Sequence, residues 1–285
     1  MEHKDLDFLV KNMDELPTLP SIFMTINNML TDPRTSSLDV GFAISSDQVI
    51  TSKILRLVNS AFYGFPGRIN TISHAISILG FSSTKNIVLT TSVLSCLTLK
   101  TQVPGFNLAA FWKHSAAVGA ISKLVAAETF PQKQEEAFTA GLLHDIGKLI
   151  FAMCNSEGFA KCINLALEKK CLFLDVEKDI LGVSHTEIVG WINEKWKLPV
   201  EIIDVITKHH NKIDPSEENA KLIAIAQIAD VLARGLQYGH ACDSSMPILE
   251  DNVLDILSLT PKKLDSILSA SYKTVQDSMV FVSAD

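Results

Sequence analysis

The sequence lacks a surplus of positive charge and lacks paired cysteines. The first absence argues against nucleic-acid binding, and the second indicates a reducing compartment. Its 285 residues carry 25 Lys and Arg against 32 Asp and Glu, a formal net charge of −7. Because nucleic-acid phosphates are held by a local surplus of Lys and Arg, and no basic cluster occurs here, we expect no nucleic-acid partner. The five cysteines form no CxxC pair and are odd in number, which is typical of free thiols in a reducing compartment.

A secretion signal and a long unbroken apolar run are also missing. The first seven residues, MEHKDLD, have neither the basic nor the apolar region of a signal peptide. The apolar run from residue 87 to residue 99 carries several Ser and Thr and is too short to cross a bilayer. We therefore expect a soluble cytoplasmic protein with no membrane partner.

Alternation of apolar and polar residues, the pattern of a half-buried strand, is not sustained anywhere. Helical periodicity recurs instead, which predicts an all-α fold. The segment 101–107, with Pro104-Gly105, is the best boundary between two packed helical halves, residues 1–103 and 104–285. In the second half, Asn107 can cap a long helix. The run Ser184-His185-Thr186-Glu187 fits a capping box and predicts His185 in the first turn of a helix.

The stretch GLLHDIGK, residues 141–148, places a histidine and a carboxylate side by side at the end of an apolar helix. His144 and Asp145 can face one point only where the backbone leaves helical geometry, and Gly147 is a place for that departure. Imidazole nitrogen with carboxylate oxygen suits Fe, Mn, Zn or Mg. Without a metal, a helix end can carry His for its dipole and Asp for a turn, and that reading stays open.

Other ionisable residues occur where a core would be expected. His114 shares a helix face with small and β-branched apolar residues. Asp230 lies within an apolar helical stripe, where an unpaired carboxylate would cost several kcal/mol, so it needs a partner. That partner is either Arg234, one turn later, or a metal. His209 and His210 close a helix, where His also favours the dipole.

Seven His and Asp side chains occur in an order that resembles the metal-dependent phosphohydrolase superfamily named for its His-Asp pair. They are His114, His144, Asp145, His185, His209, His210 and Asp230. The resemblance implies that the first three and Asp230 bind one divalent metal. It implies that Asp145 bridges to a second ion held by His185, His209 and, as a further candidate, His210. Fe is the first choice of metal, with Mn, Zn or Ni as alternatives.

The same resemblance suggests chemistry for the site. Two neighbouring cations can activate a water and clamp a phosphoryl displacement, with Asp145 at the centre. Lys148, one turn beyond, would face the site as a phosphate anchor or proton donor. Its alternative is a surface lysine near a helix end.

Three motifs in the first half resemble the HDOD domain, the HD-related output domain of bacterial signalling proteins. They are LPTLP at residues 16–20, KILRLVNSAFYG at 53–64 and ISHAISILG at 72–80. With the His-Asp motifs, the resemblance covers roughly residues 10–280. It implies a signal-transduction module acting on an unidentified signalling partner.

The sequence differs at two places from related cyclic di-GMP phosphodiesterases and three-metal enzymes. After His210 the sequence reads NKIDP, without the Gly-Tyr-Pro of the cyclic di-GMP phosphodiesterases, and Ala110 stands where three-metal members have Glu. Cleavage of cyclic di-GMP is therefore not expected. HDOD domains are often degenerate at the metal ligands, whereas this chain retains the set. Three hypotheses remain: a regulatory protein with a metal site, an active phosphohydrolase on a nucleotide or cyclic nucleotide, and a metal or redox sensor.

Overall fold

A computed structural model describes residues 18–32, 34–99 and 101–282 of the chain. No β-strand occurs among these residues, and helices joined by loops and turns account for them, which confirms the all-α prediction. The first two residues of the LPTLP motif lie outside the described residues.

The α-helices are described here in chain order. They are α1 (Ser21–Thr31), α2 (Ser37–Ser45), α3 (Gln48–Val58), α4 (Ile72–Cys96), α5 (Leu108–Thr129), α6 (Gln134–Leu143), α7 (Ile146–Cys154), α8 (Ser156–Lys169), α9 (Leu174–Leu181), α10 (His185–Trp196), α11 (Val200–Lys208), α12 (Ala220–Gly235), α13 (Val253–Ile256) and α14 (Pro261–Ser278). Short 3-10 turns at Pro131–Lys133 and Met279–Phe281 complete the helical structure of the described residues.

The described residues form two compact units. The N-terminal unit comprises residues 18–32, 34–98 and 276–282, and the His-Asp unit comprises residues 99 and 101–275. Helices α1 to α4 belong to the first unit, and α5 to α13 belong to the second. The end of α14 therefore joins the N-terminal unit, while its first fifteen residues, 261–275, belong to the His-Asp unit.

Local capping explains where helices of the N-terminal unit begin. Ser36 and Asp39 form a capping box at the start of α2. The Asp47 carboxylate accepts hydrogen bonds from the backbone N–H groups of Val49 and Ile50, both at 3.0 Å, and so caps α3. Gly80 interrupts α4 with φ 79°, a left-handed conformation that glycine adopts without strain.

Close packing of α5 against α6 organises the His-Asp unit. A Cβ at Gly119 would lie 2.9 Å from the carbonyl oxygen of Phe138, and one at Gly141 would overlap the Ser122 hydroxyl. Only glycine allows the two helices to approach this closely. Asn107 caps α5 as predicted, with its Oδ1 accepting from the Ala110 N–H at 2.9 Å. The contact brings together the two helices that carry His114 and lead to His144.

The apolar stretch around the His-Asp pair is a core segment. Pro131–Cys154 is long and apolar enough to cross a membrane by length and composition alone, a property that the sequence analysis overlooked in favour of residues 87–99. Within the structure, 94% of its most apolar window is buried. Burial of this extent is typical of a core helix.

Candidate metal centre

The backbone leaves helical geometry at Asp145. His144 still has helical angles, φ −52° and ψ −41°, whereas Asp145 has φ −96° and ψ 11°, and α7 begins at the next residue. The prediction that Gly147 supplies the departure is therefore wrong, because Gly147 lies inside α7. Its role is spatial, since a Cβ at Gly147 would overlap the carbonyl oxygen of His185. Glycine here lets α7 pack directly on the start of α10.

One group of possible ligands comprises His114, His144 and Asp145, all buried, with one ligand atom from each within 4.8 Å of the others. The His144 Nδ1–H donates to the carbonyl oxygen of Gly141 at 2.7 Å, which leaves a lone pair on Nε2. That Nε2 lies 3.3 Å from Asp145 Oδ2. Asp230 lies beside this group, with its Oδ1 3.1 Å from His114 Nε2.

The other group comprises Asp145, His185, His209 and His210 and meets the same 4.8 Å limit. Asp145 Oδ1 lies 3.3 Å from His185 Nε2 and 3.6 Å from His209 Nε2. The His209 Nδ1–H donates to the carbonyl oxygen of Ile206 at 2.9 Å, so its Nε2 also presents a lone pair. The ring of His210 lies 4.0 Å from that of His209, centroid to centroid. Asp145 therefore belongs to both groups, and the structure brings all seven predicted side chains together.

Glu177 is a further candidate site residue, which the sequence pattern did not reveal. Its side chain is fully buried on α9, and both carboxylate oxygens lie 2.9 Å from His185 Nδ1. It also accepts a hydrogen bond from the His185 backbone N–H at 2.8 Å. This contact directs His185 Nε2 towards Asp145 and His209. A carboxylate on the rear nitrogen of a metal-binding histidine is a common means of orienting the ring.

Four buried side-chain atoms around Asp145 have no hydrogen-bond partner within the described structure. They are His114 Nε2, His144 Nε2, Asp145 Oδ1 and His210 Nε2. Such atoms are costly to bury, and four of them in one place require an explanation. A divalent cation supplies it, because imidazole nitrogens and carboxylate oxygens are ligands of Fe, Mn, Zn and Ni. The residues present therefore fit a divalent metal.

The surrounding charges keep the carboxylates of this cluster ionised. Burial alone would raise the pKa of the Asp145 carboxyl, but His144 and the Lys148 ammonium hold that pKa well below its usual range. Burial likewise opposes ionisation of Asp230, whose pKa is held well below its usual range by the Arg234 guanidinium and by His114.

Burial and neighbouring carboxylates shift the pKa values of the histidines in the second group. Removal from water lowers the pKa of His209 to about 4 and the pKa of His210 well below its usual value. Burial also lowers the pKa of His185, but Glu177 and Asp145 outweigh it and the pKa is raised. Neutral His209 and His210 beside ionised carboxylates are the protonation states that metal binding requires.

Lys148 lies in the site, as the resemblance implies, and is not a surface lysine. Its ammonium is 1% exposed and donates to Asp145 Oδ2 at 2.7 Å and to the carbonyl oxygen of Ala241 at 3.1 Å. The ring of Phe173 covers it at 5.6 Å. Its proposed role as a phosphate anchor or proton donor stays a prediction.

The two explanations offered for Asp230 from the sequence turn out to be compatible. Arg234 Nε donates to Asp230 Oδ1 at 2.9 Å and to Oδ2 at 3.1 Å. The same carboxylate is in contact with His114 at the edge of the first ligand group. Asp230 is therefore paired with a cation and adjacent to the possible metal.

A cleft of about 180 Å³ reaches the cluster from the surface. Three of the seven cluster residues, His209, His210 and Asp230, form part of its wall, and His210 is partly exposed. The rest of the wall comes from the start of α9, from α12 and from residues 247–250. The described lining residues are Leu172, Leu174, His209, His210, Gln227, Asp230, Val231, Pro247, Ile248, Leu249 and Glu250.

The HDOD domain family matches residues 16–212, which is more than half of the chain. The chain belongs to the HDOD family. This confirms the resemblance drawn from its motifs. A curated relative, an uncharacterized protein of Treponema pallidum (strain Nichols), is 26% identical over 229 residues, covering 80% of this chain. This chain spans only 44% of that protein's length.

Solved structures share the helical fold of this HDOD protein over nearly its whole length. An HDOD domain protein with unknown function from Geobacter sulfurreducens superposes with a TM-score of 0.78 at 24% identity, covering 97% of this chain and 98% of that one. A candidate phosphohydrolase from Shewanella amazonensis SB2B gives 0.72 at 22% identity, with 97% of each chain covered. A candidate signal transduction protein from Marinobacter aquaeolei VT8 gives 0.76 at 20% identity, covering 98% of this chain and 65% of that one. Identities this low establish the shared fold alone.

Proposed function

We propose that this HDOD protein is a bacterial, cytoplasmic signal-transduction protein that binds two divalent transition-metal ions and acts on a signalling partner. The observation that carries the proposal is the pair of ligand groups that share Asp145, together with the four buried ligand atoms that make no hydrogen bond. A protein without a metal would have no use for so many desolvated ligand atoms at one point.

The residues divide naturally between two ions. His114, His144 and Asp145 would hold one, with Asp230 close enough to join them. Asp145 would also serve the second, together with the three histidines of the other group, which Glu177 orients through His185. When bound, such ions supply concentrated positive charge and Lewis acidity. Fe is the first candidate because histidine-rich sites with carboxylates suit it, and Mn, Zn and Ni remain alternatives.

The composition of the cleft favours a regulatory role over the turnover of a large phosphorylated substrate. Among the described residues that line it, no Lys or Arg occurs. Of the two cations nearest the cluster, Lys148 is buried and Arg234 is partly buried, and they are already bonded to Asp145 and Asp230. A nucleotide would therefore find no protein cation in the cleft to bind its phosphates, apart from what a metal supplies.

A second candidate function is a metal-dependent phosphohydrolase. It is favoured by one observation, that the cleft extends from the surface to His209, His210 and Asp230. A small phosphate ester could therefore reach the metal ligands. The substrate would be a nucleotide or cyclic nucleotide that leaves its larger part outside a space of about 180 Å³.

Elemental analysis tests the first proposal directly. The protein is purified without chelators or metal-affinity steps, and we expect close to two transition-metal ions per chain. Asp145→Ala removes the ligand that both groups share and should abolish binding, whereas Asp251→Ala, a change at an exposed position, should leave it intact. Metal content near zero in the unaltered protein, even after reconstitution, would contradict the proposal.

Hydrolysis of a panel of phosphomonoesters and phosphodiesters, with added Mn or Fe, tests the second candidate.

A further inference from the structure

The segment that follows α12 has two contrasting parts. Residues 241–250 contain no helix or strand. Ala241, Cys242 and Asp243 are buried, whereas Met246 is 51% exposed and Ile248 is 91% exposed. Residues 247–250 form one wall of the cleft that reaches the ligand cluster. We call residues 241–250 the cover segment, since its buried end lies at the site and its far end faces solvent.

Lys148 and Arg234 form hydrogen bonds to the buried end of the cover segment. Lys148 Nζ donates to the carbonyl oxygen of Ala241 at 3.1 Å. Arg234 Nη1 donates to Asp243 Oδ1 at 2.6 Å and to the carbonyl oxygen of Ser245 at 2.9 Å. Charge-assisted hydrogen bonds of this kind are stronger than neutral ones. These three contacts are therefore the anchors of the segment.

Each of the two cations is shared between the cover segment and a carboxylate of the ligand cluster. Lys148 also bonds Asp145 Oδ2 at 2.7 Å, and Arg234 Nε also bonds both oxygens of Asp230, at 2.9 and 3.1 Å. Asp145 is common to both ligand groups, and Asp230 touches His114. The two side chains that anchor the segment therefore also bond directly to proposed metal ligands.

A divalent ion at these carboxylates would alter how the two cations are shared. The ion would draw on the negative charge that now holds Lys148 and Arg234, and it would repel both. The cations would then bond more strongly to their other acceptors, the Ala241 carbonyl and the Asp243 carboxylate. Asp243 is itself fixed, because its Oδ2 accepts a hydrogen bond from the Phe173 N–H at 3.0 Å.

We propose that metal binding makes the cover segment less mobile, because Lys148 and Arg234 then bond to it more strongly. The mobility of an exposed surface would thus depend on whether the site holds metal. The inference rests on the proposed function, because it requires that the cluster bind metal. Lys148 and Arg234 would then take part in regulation. The regulated surface would be residues 246–250, where Met246 and Ile248 are exposed.

Hydrogen–deuterium exchange measured by mass spectrometry tests the proposal with Mn²⁺ as the probe. Exchange of peptides covering residues 241–250 is compared in the full chain with and without Mn²⁺, and bound Mn is determined on the same samples. We expect exchange slower by about threefold or more with Mn²⁺, because tighter anchors make local opening rarer. Asp243→Asn weakens the Arg234 anchor without touching either ligand group and should reduce this response. Asp251→Asn, at an exposed site just beyond the segment, should respond like the unaltered protein.

The outcomes are distinguishable. Exchange that is unchanged or faster with a full complement of bound Mn would overturn the inference and leave the proposed function standing. Failure of the unaltered protein to bind Mn would overturn the proposed function and the inference together. A full response in Asp243→Asn would exclude the route through Arg234. The comparison on the unaltered protein is decisive by itself, so the test does not depend on the stability of a variant.

Discussion

The two units differ in the kind of polar group that they bury. Buried polar side chains of the N-terminal unit are hydroxyls and an amide, such as Thr84, Thr91 and Asn86. The His-Asp unit buries four histidines, three aspartates, a glutamate and a lysine. They are His114, His144, His185, His209, Asp145, Asp230, Asp243, Glu177 and Lys148. Ionisable groups are thus concentrated in one unit.

This difference places the ionisable side chains that could hold a metal in one unit. A buried hydroxyl is satisfied within its own helix, as Thr91 is by the Ile87 carbonyl and Thr84 by the Gly80 carbonyl, both at 2.7 Å. A buried charge needs partners from other elements, and losing one partner leaves an uncompensated ion. Substitution of ionisable groups in the His-Asp unit should therefore change both stability and metal binding, whereas substitution in the N-terminal unit should change stability alone.

The largest effect is expected for Asp145→Ala. The change leaves the Lys148 ammonium buried without its carboxylate, so the free energy of unfolding should fall by about 3–5 kcal/mol. Urea denaturation of metal-free protein measures this loss. Replacing Lys148 as well, in Asp145→Ala with Lys148→Met, should recover part of the stability. If the double variant is no more stable than the single one, the buried ion pair is not the source of the loss.

Glu177→Gln should weaken metal binding at one group selectively. Loss of the carboxylate behind His185 should lower affinity at the group with His209 by about 10–100-fold. Competition with a chelator of known affinity measures it, and one of the two ions should be lost first. Glu194→Gln is the matched control, because Glu194 lies in the same helix as His185, is exposed and is not part of the capping box at Ser184 and Glu187. Equal weakening by both substitutions would show that Glu177 has no positioning role.

Gly147→Ala and Gly190→Ala make a further pair. A methyl group at Gly147 overlaps the His185 carbonyl oxygen, so we expect destabilisation of about 1–3 kcal/mol and weaker metal binding. At Gly190, inside α10, the nearest atom to a new Cβ is 3.8 Å away, and alanine should stabilise the helix by about 0.5–1 kcal/mol. Thermal denaturation and metal titration of both variants measure these effects. A harmless alanine at Gly147 would mean that α7 and α10 can separate without cost.

The smallest effect is expected in the N-terminal unit. Asp47→Ala removes the cap of α3 and should cost about 1 kcal/mol of stability. Metal stoichiometry and affinity should not change, since Asp47 lies outside the unit that carries the cluster. Elemental analysis alongside urea denaturation checks both parts. Loss of metal in this variant would contradict the assignment of the site to one unit.

Local signals were sufficient to predict much of the fold. The capping box at Ser184 and Glu187 places His185 in the first turn of α10, as predicted. Asn107 caps the start of α5, also as predicted. These features depend on a few neighbouring residues, which is why the sequence shows them.

Helices α7 and α9, and the residue that orients His185, were not predicted. Only His144 and Asp145 separate α7 from α6, and no strong stop signal marks this short break. Helix α9 is eight residues long and carries Glu177. A clue was available, because Glu177 occurs one turn before Leu181 and close to Val176, both buried. The meaning of that glutamate depends on His185, which lies eight residues later on a different helix.

By itself, the sequence determined the helical fold class, the caps and the order of the candidate ligands, because periodicity and capping are short-range properties of the chain. Only the tertiary structure decided that Asp145 is shared by both ligand groups, that Lys148 bonds the Ala241 carbonyl 93 residues away, and that Arg234 joins Asp230 to Asp243. These contacts join elements distant along the chain, and they form only when α5, α7, α10 and α12 pack into one core.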